Sequence, residues 1–405
     1  MNPKQIVRQV ESAAERMMAE YGISPRTGFL AENPLQNLPQ DLGNLERNAW
    51  FHKLDAIADR LPEIIKNGEV EKVISGLPVQ TWPLDDLPDN VNYRVMLILT
   101  MLEHALAKEK RNSSTVQSLL SDESPFYVPP QLAVPLWALH KIIGMQPTAS
   151  YYLYGPWNWH KIDPGGPISL ENVDMNVSFT GDLDESWFVR IHHVIQFVEA
   201  PAIRPLLRAY LASEYQDDAP ISYITKCLKQ AASPLMKRVS VLKRMTEHCN
   251  PGPYFEKVRM FYAFPPKIIF EGIPELEGTT MRFEGETGGA SPDQQLHDNI
   301  LQVCHRRTSQ EYRTARRKQI PQRISALLEI TLHSQVRDVI LRNQDHDDAV
   351  LAFNAVNWGG VYWGLEHRNL VLSHIKQYGE THGTGSASLG VLDHMIDDRL
   401  AALIR

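Results

Sequence analysis

Apolar residues recur at three- and four-residue spacing along most of this chain, the period of helices with one face turned inward. The opening segment, MNPKQIVRQVESAAERMMAEYG, reads as an amphipathic helix with charges throughout. Gly22 to Pro39 holds too many glycines and prolines for a helix and reads as an extended, wrapping stretch. Met96 to Lys108 is a strongly apolar helix, the expected centre of an N-terminal domain. Tyr152 to Gly181, with Gly155-Pro156 and Asp163-Pro164-Gly165-Gly166-Pro167, is a second loop region and the expected domain boundary. Beyond it the pattern predicts helices over 186–200, 202–214, 219–248, 253–264, 291–304, 308–344 in pieces, and 347–378. Strand-like alternation is scarce, with short candidates at 177–179 and 267–272. The late segment GETHGTGSAS, Gly379 to Ser388, reads as a small polar loop expected to be mobile. The predicted fold is all-α: a smaller N-terminal domain over 1–160, an interdomain segment over 161–185, and a large helical domain over 186–405.

Composition narrows the classes. The 405 residues, 43% hydrophobic and 22% charged, have the balance of an ordinary globular protein, long enough to enclose a large ligand pocket. A net charge of −7 provides no global basic field for nucleic acid or anionic lipid. No stretch approaches the ~20 apolar residues of a membrane span, and the N-terminus lacks the apolar core of a signal peptide. Cys227, Cys249 and Cys304 are far apart and outside metal-ligand spacing, which places the expected compartment in the cytoplasm. The chain has no CxxCH, HExxH, Walker A or GxSxG motif.

Four less standard features remain. In the segment around His367, Val350, Leu351, Val356, Gly360, Trp363, Leu370, Val371 and Ile375 share its periodicity, so His367 belongs to an inward face. Gly359, Gly360 and Gly364 precede it, each costing about 1 kcal/mol against alanine in a helix, so something approaches this backbone closely. A flat macrocycle with His367 on its iron meets that condition; a core histidine beside a close helix–helix contact meets it more simply. The second feature, Phe283-Glu284-Gly285-Glu286-Thr287-Gly288-Gly289-Ala290-Ser291-Pro292, can bring backbone N–H groups against a ligand, or be an ordinary loop that opens a helix. Ser291 is its expected N-cap, with Pro292 at the first position and Gln294 completing a capping box. Third, Phe188, His192 and Ile195 share one helical face behind Ser186, a possible N-cap; His192 is either a pocket group or a hydrogen-bonded core histidine. Fourth, Arg259 lies among Tyr254, Phe255, Phe261 and Tyr262, and a buried guanidinium there needs an anion, from a substrate carboxylate or from the protein. The basic run His305–Arg323 reads as a solvated helix face rather than a nucleic-acid surface, and Asp345-His346-Asp347-Asp348 as a polar helix start rather than a metal site.

The order of these features resembles the indoleamine 2,3-dioxygenase family over most of the chain. The resemblance is carried by Gly28-Phe29-Leu30 with Asn37-Leu38-Pro39, Ala133-Val134-Pro135, Leu170-Glu171-Asn172-Val173-Asp174, and Asn250-Pro251 ahead of Arg259. Gly285-Glu286-Thr287-Gly288, the His367 segment and Gly383-Thr384-Gly385 complete it. The resemblance implies haem b, with His367 as its proximal ligand and His374 as the rival further along the same helix. It implies that the small domain covers the distal side, where Phe188, Tyr254 and Phe255 pack an indole. Arg259 would hold a substrate carboxylate, Thr287 and Gly288 would face oxygen and substrate, and Thr384 would belong to a lid. Asp298 would lie near a haem propionate, and Gly360 and Gly364 against the macrocycle.

Three residues depart from the family pattern. His192 stands where many members have serine, Tyr254 where phenylalanine is expected, and Gly364 where an arginine is expected, leaving the partner of Asp298 open. The implied reaction inserts both atoms of O2 across the indole C2–C3 bond, converting L-tryptophan to N-formylkynurenine. The implied partners are this small molecule and O2, with no nucleic acid and no membrane. His192 would bond the indole N–H or the oxygen. Turnover of another tryptophan derivative, or haem and oxygen binding without catalysis, are the rival readings; oligomeric state is open.

Overall fold

The computed structural model describes residues 2–42, 44–111, 113 and 115–405, and these are mostly helical. The first part carries α1 (Pro3–Glu20), α2 (Leu45–Lys66), α3 (Val70–Ser75), α4 (Asp89–Arg111), α5 (Val116–Ser121), α6 (Pro130–Ile143) and the single turn α7 (Tyr151–Tyr154). Then follow α8 (Leu183–Ser213), α9 (Ile221–Leu242), the turn α10 (Pro251–Pro253), α11 (Pro292–Ile300), α12 (Arg307–Arg316), α13 (Gln322–Thr331), α14 (Val336–Arg342), α15 (Asp347–His374) and α16 (Val391–Ala401). The all-α expectation holds. Every residue of α4 from Val91 to Ala107 is buried, so this helix is a core element on all sides.

The helix expected as 186–200 and 202–214 is one helix. Pro201 and Pro205 each remove a backbone donor, yet α8 continues through both. Ala202, Ile203, Leu206 and Leu207 are buried there, and that packing outweighs the lost bonds. Helix α8 begins earlier than expected, with Asp182 at its N-cap and Asp184 and Glu185 in its first turn, where carboxylates complement the helix dipole. Ser186 therefore lies inside the helix rather than at its cap.

Strands are few. β1 (Phe126–Val128), which the alternation did not reveal, pairs in parallel with β4 (Ile268–Phe270), within the stretch expected at 267–272. β2 (His160–Lys161) pairs antiparallel with β3 (Val173–Asp174). Residues 177–179 form no strand. Their amides go to side chains instead: Val177 N to Asn158 Oδ1 at 2.9 Å and Phe179 N to Glu185 Oε1 at 2.8 Å.

Helices α8, α9 and α15 pack side by side, with α1 against α8 and α16 against α15. The regular helix expected over 253–264 is replaced by a π turn at Tyr254–Val258 and a 3-10 turn at Arg259–Tyr262. A π turn inserts an extra residue per turn and redirects the side chains that follow. Among the described residues no helix is long and apolar enough to cross a membrane.

The arginines of 305–323 are largely committed within the fold. Arg306 pairs with Asp397 and Asp398, Arg313 with Asp298, Arg316 with Glu284, and Arg323 with Asp89. Asp348 pairs with Lys229 at 2.7 Å, and no cluster suited to a metal ion occurs among the described residues.

Candidate active site

A cavity of about 180 Å³, measured as room for a water-sized sphere, lies between α8, α15, the glycine loop and the C-terminal loop. Phe188, Leu242, Met245, Leu370, Ile375, Leu389, Leu392 and Met395 make much of the wall apolar. The structure brings His192, Phe188, Tyr254, Thr287, Gly288, Asp298, Thr384 and His367 to this one wall from six segments.

The periodicity of α15 turns His367 toward the cavity. Its ring stacks on Trp363, with centroids 4.9 Å apart and planes 14° from parallel. His367 Nδ1 is buried and has no hydrogen-bond partner among the described residues. His374, two turns on, differs: its Nε2 meets Cys249 O at 3.1 Å, and its Nδ1 meets Ser373 Oγ at 2.8 Å and Leu370 O at 3.1 Å. Both histidines line the cavity, but His374's nitrogens are engaged by protein. Burial, aided by Arg399, pushes His367 down to about 4, so its imidazole is neutral at physiological pH and has a lone pair to give a metal.

His192 contributes from α8. It packs edge-on against Phe188 (4.8 Å) and Tyr151 (5.4 Å), and its Nε2 is buried without a partner among the described residues. Burial, and secondarily the His367 imidazole, lower it to about 3. Phe188 also rests against Tyr254 at 4.9 Å, so these three rings form a continuous aromatic floor.

The glycine loop is held by its neighbours. Thr287 Oγ1 lies 3.1 Å from Tyr312 Oη and accepts from Gly289 N at 3.2 Å. Ser291 sits at the N-cap of α11 but makes no capping bond; its hydroxyl donates to Asp293 Oδ2 at 2.9 Å. The capping box expected with Gln294 therefore does not form, because the neighbouring acid takes the hydroxyl. The C-terminal loop, expected to be mobile, is pinned over the cavity: Thr384 Oγ1 donates to Glu286 O at 2.5 Å and Arg316 Nη1 to Gly385 O at 3.2 Å.

Arg259 and Phe255 lie outside the cavity wall. Arg259 is 1% exposed; its Nη2 donates to His382 O at 2.6 Å and its Nη1 lies 3.3 Å from Glu380 Oε1. The anion that its burial demanded comes from the C-terminal loop. Glu380 Oε1 also accepts from Val116 N at 3.0 Å, tying the same loop to α5. Phe255 stacks on Tyr378 at 4.4 Å, under the Arg259 guanidinium.

Gly360 and Gly364 are also outside the wall. A Cβ at Gly360 would meet His297 Cε1 at 2.8 Å and Arg399 Cδ at 3.2 Å; one at Gly364 would meet Ile396 Cγ1 at 2.9 Å. Gly359 is likewise crowded by Leu235 at 2.9 Å. The close approach signalled by these glycines is made by α9, α11 and α16, so the helix–helix reading accounts for them.

Asp298 finds its partners at one end of the cavity. It accepts from Arg399 Nε at 2.9 Å and Nη2 at 2.8 Å, and from Arg313 Nη1 at 3.1 Å, and lies 3.0 Å from His305 Nε2. Burial raises its carboxyl, but Arg399 and Arg313 outweigh that and hold it well below the usual carboxylate range. Arg399 reaches from α16 to the space beside Gly364, where its Nη1 is 3.5 Å from the missing Cβ. Sequence reasoning missed Arg399, Arg313 and Tyr154 in this wall, whereas Trp363 shares the inward periodicity read for His367. It also passed over Glu286, whose only signal was an acid set among glycines.

The indoleamine 2,3-dioxygenase family model matches residues 17–358. The match takes in Phe188, His192, Tyr254, Thr287 and Asp298 and ends within α15, ahead of His367. The chain is 28% identical over 300 residues to indoleamine 2,3-dioxygenase 1 of Rattus norvegicus, covering 72% of this chain and 67% of that protein. It is 26% identical over 313 residues to indoleamine 2,3-dioxygenase of Saccharomyces cerevisiae, covering 74% and 65%. It is also 26% identical over 272 residues to 6-hydroxytryptophan 2,3-dioxygenase of Fusarium equiseti, covering 67% and 60%. A family match across most of the chain, over a helical fold that gathers these residues round one cavity, places the protein in the indoleamine 2,3-dioxygenase family of haem-dependent dioxygenases acting on tryptophan or other indoles.

Proposed function

We propose that this chain opens the C2–C3 bond of L-tryptophan with O2 to give N-formylkynurenine, holding haem b through His367. The observation that carries the proposal is the pairing of two neutral histidines in one apolar cavity, His367 on α15 and His192 on α8, each with a buried ring nitrogen that the described residues do not satisfy.

The residues present fit haem. His367 would hold the iron, since His374 already spends both nitrogens on the protein. Arg399 and Arg313 exceed the charge of Asp298 by one, and this cationic end of an otherwise apolar cavity suits acidic edge groups. When bound, haem supplies the redox chemistry that delivers oxygen to the indole.

The protein contributes position and dryness. Phe188 and Tyr254 pack the indole ring by aromatic contact. His192 Nε2, held neutral by burial, accepts the indole N–H and so fixes which edge of the ring is presented. Thr287 and Gly288 line the side where oxygen and substrate meet, and the loop bearing Thr384 excludes water above them.

The test is aerobic incubation of the reduced, haem-loaded protein with L-tryptophan, followed by the absorbance of N-formylkynurenine. Product whose formation is lost in His367→Ala supports the proposal; haem-loaded protein that leaves L-tryptophan unchanged refutes it. One second reading has a specific observation behind it. The Tyr254 hydroxyl in the aromatic wall favours a ring-substituted tryptophan, the substrate class that names the Fusarium equiseti relative.

A further inference from the structure

Glu286 is an acid of the substrate cavity and, unlike Asp298 in the same wall, has no arginine partner among the described residues. It is 2% exposed, belongs to the cavity wall, and its Oε1 has no hydrogen-bond partner among the described residues. Its carboxyl bonds to Tyr154 and lies within electrostatic reach of Tyr254 and Tyr312, three side chains of the same wall. The backbone on either side fixes it: Glu286 N donates to Tyr262 O at 2.8 Å, and Glu286 O accepts from Thr384 Oγ1.

The cations around the cavity are engaged with residues other than Glu286. Arg313 and Arg399 share Asp298, and Arg259 is held outside the wall by Glu380 and the His382 carbonyl. An acidic substrate group near Glu286 would therefore find a second acid and, among the described residues of the wall, no arginine or lysine free of an ion pair, whereas a cationic group would find a buried oxygen in need of a donor.

We propose that Glu286 is the specificity-determining residue of this site, taking the ammonium group of the indole substrate's side chain, so that the amine rather than the carboxylate is what the chain recognises. The inference rests on the reading of the cavity as an indole site. Burial pushes Glu286 up to about 8, against the lowering bond from Tyr154. In the free protein the acid is held neutral, and an arriving ammonium converts it to the carboxylate. L-Tryptophan and its decarboxylated amine share the recognised group, and the acid lacking the amine does not.

The experiment is calorimetric titration of the haem-loaded protein with L-tryptophan, tryptamine and indole-3-propionate, repeated with Glu286→Gln and Glu286→Gly. A charge-assisted bond predicts that tryptamine binds within a fewfold of L-tryptophan and indole-3-propionate roughly 10- to 100-fold more weakly. Both variants then lose about that factor for the two amines while indole-3-propionate is unchanged or tighter. Equal affinity for tryptamine and indole-3-propionate overturns the proposal, as does a loss shared by all three ligands, which marks a structural role. Binding is read without turnover, so an absence of N-formylkynurenine refutes the dioxygenase reaction and leaves this result standing by itself.

Discussion

The Asp298 cluster makes the firmest quantitative demand. Asp298 is fully buried, and two arginines on different helices, Arg399 and Arg313, are 2% and 3% exposed at their side chains. Substitution Asp298→Asn keeps the shape and removes the charge that both guanidiniums require. Breaking one buried pair in this way costs about 3–5 kcal/mol, because the remaining charge stays desolvated. For a chain of 405 residues, at ~2.1 cal/mol/K of unfolding entropy per residue, that corresponds to a fall in Tm of roughly 4–6 °C. Equilibrium urea unfolding gives the free energy and a thermal scan the midpoint. Adding Arg399→Leu to Asp298→Asn should recover part of the loss, since the stranded charge is then removed, with a coupling of about 1–3 kcal/mol. A single variant within about 1 kcal/mol of wild type, or strictly additive effects in the double variant, would refute the reasoning.

The glycine loop and the buried histidines yield two further tests. A Cβ at Gly289 would meet Tyr312 Oη at 2.2 Å, whereas one at Gly288 meets nothing within 4 Å. Gly289→Ala must displace Tyr312 from Thr287 and is expected to lower kcat/KM about tenfold while Gly288→Ala folds normally; equal effects on melting and turnover would contradict this. Burial lowers His193 to about 3 and His104 to about 4, from the 6.5 of an exposed histidine. Because the folded pKa values are depressed, the unfolded chain binds more protons below pH 6.5, and stability falls from there toward pH 4. Each histidine contributes about 2 kcal/mol of that loss at pH 5, measured by urea unfolding against pH; a flat profile from pH 7 to 5 would exclude it.

Much of the cavity was legible in the sequence because its ingredients are periodic. The spacing on α15 turned His367 inward, and the spacing on α8 set Phe188 and His192 together. What could not be read were agreements between distant segments. The glycines of α15 announced a close approach but not its author, which proved to be Leu235, His297, Ile396 and Arg399. Arg259 announced a need for an anion, and Glu380 filled it from a loop whose composition gave no sign of being anchored. The expected helix at 253–264 failed because an apolar run carries no mark of a π turn. The strand at 177–179 failed because Asn158 and Glu185 took the amides a neighbouring strand would have used. Asp298's partner at Arg399 lies in a helix with no motif at all.

The central claim is that His367, and not His374, holds the iron. Titrating haem into the wild-type protein, His367→Ala and His374→Ala, and following the Soret band, tests it most directly. The account predicts stoichiometric uptake by wild type and His374→Ala and loss of tight binding in His367→Ala. Retained uptake in His367→Ala, or loss only in His374→Ala, would contradict it.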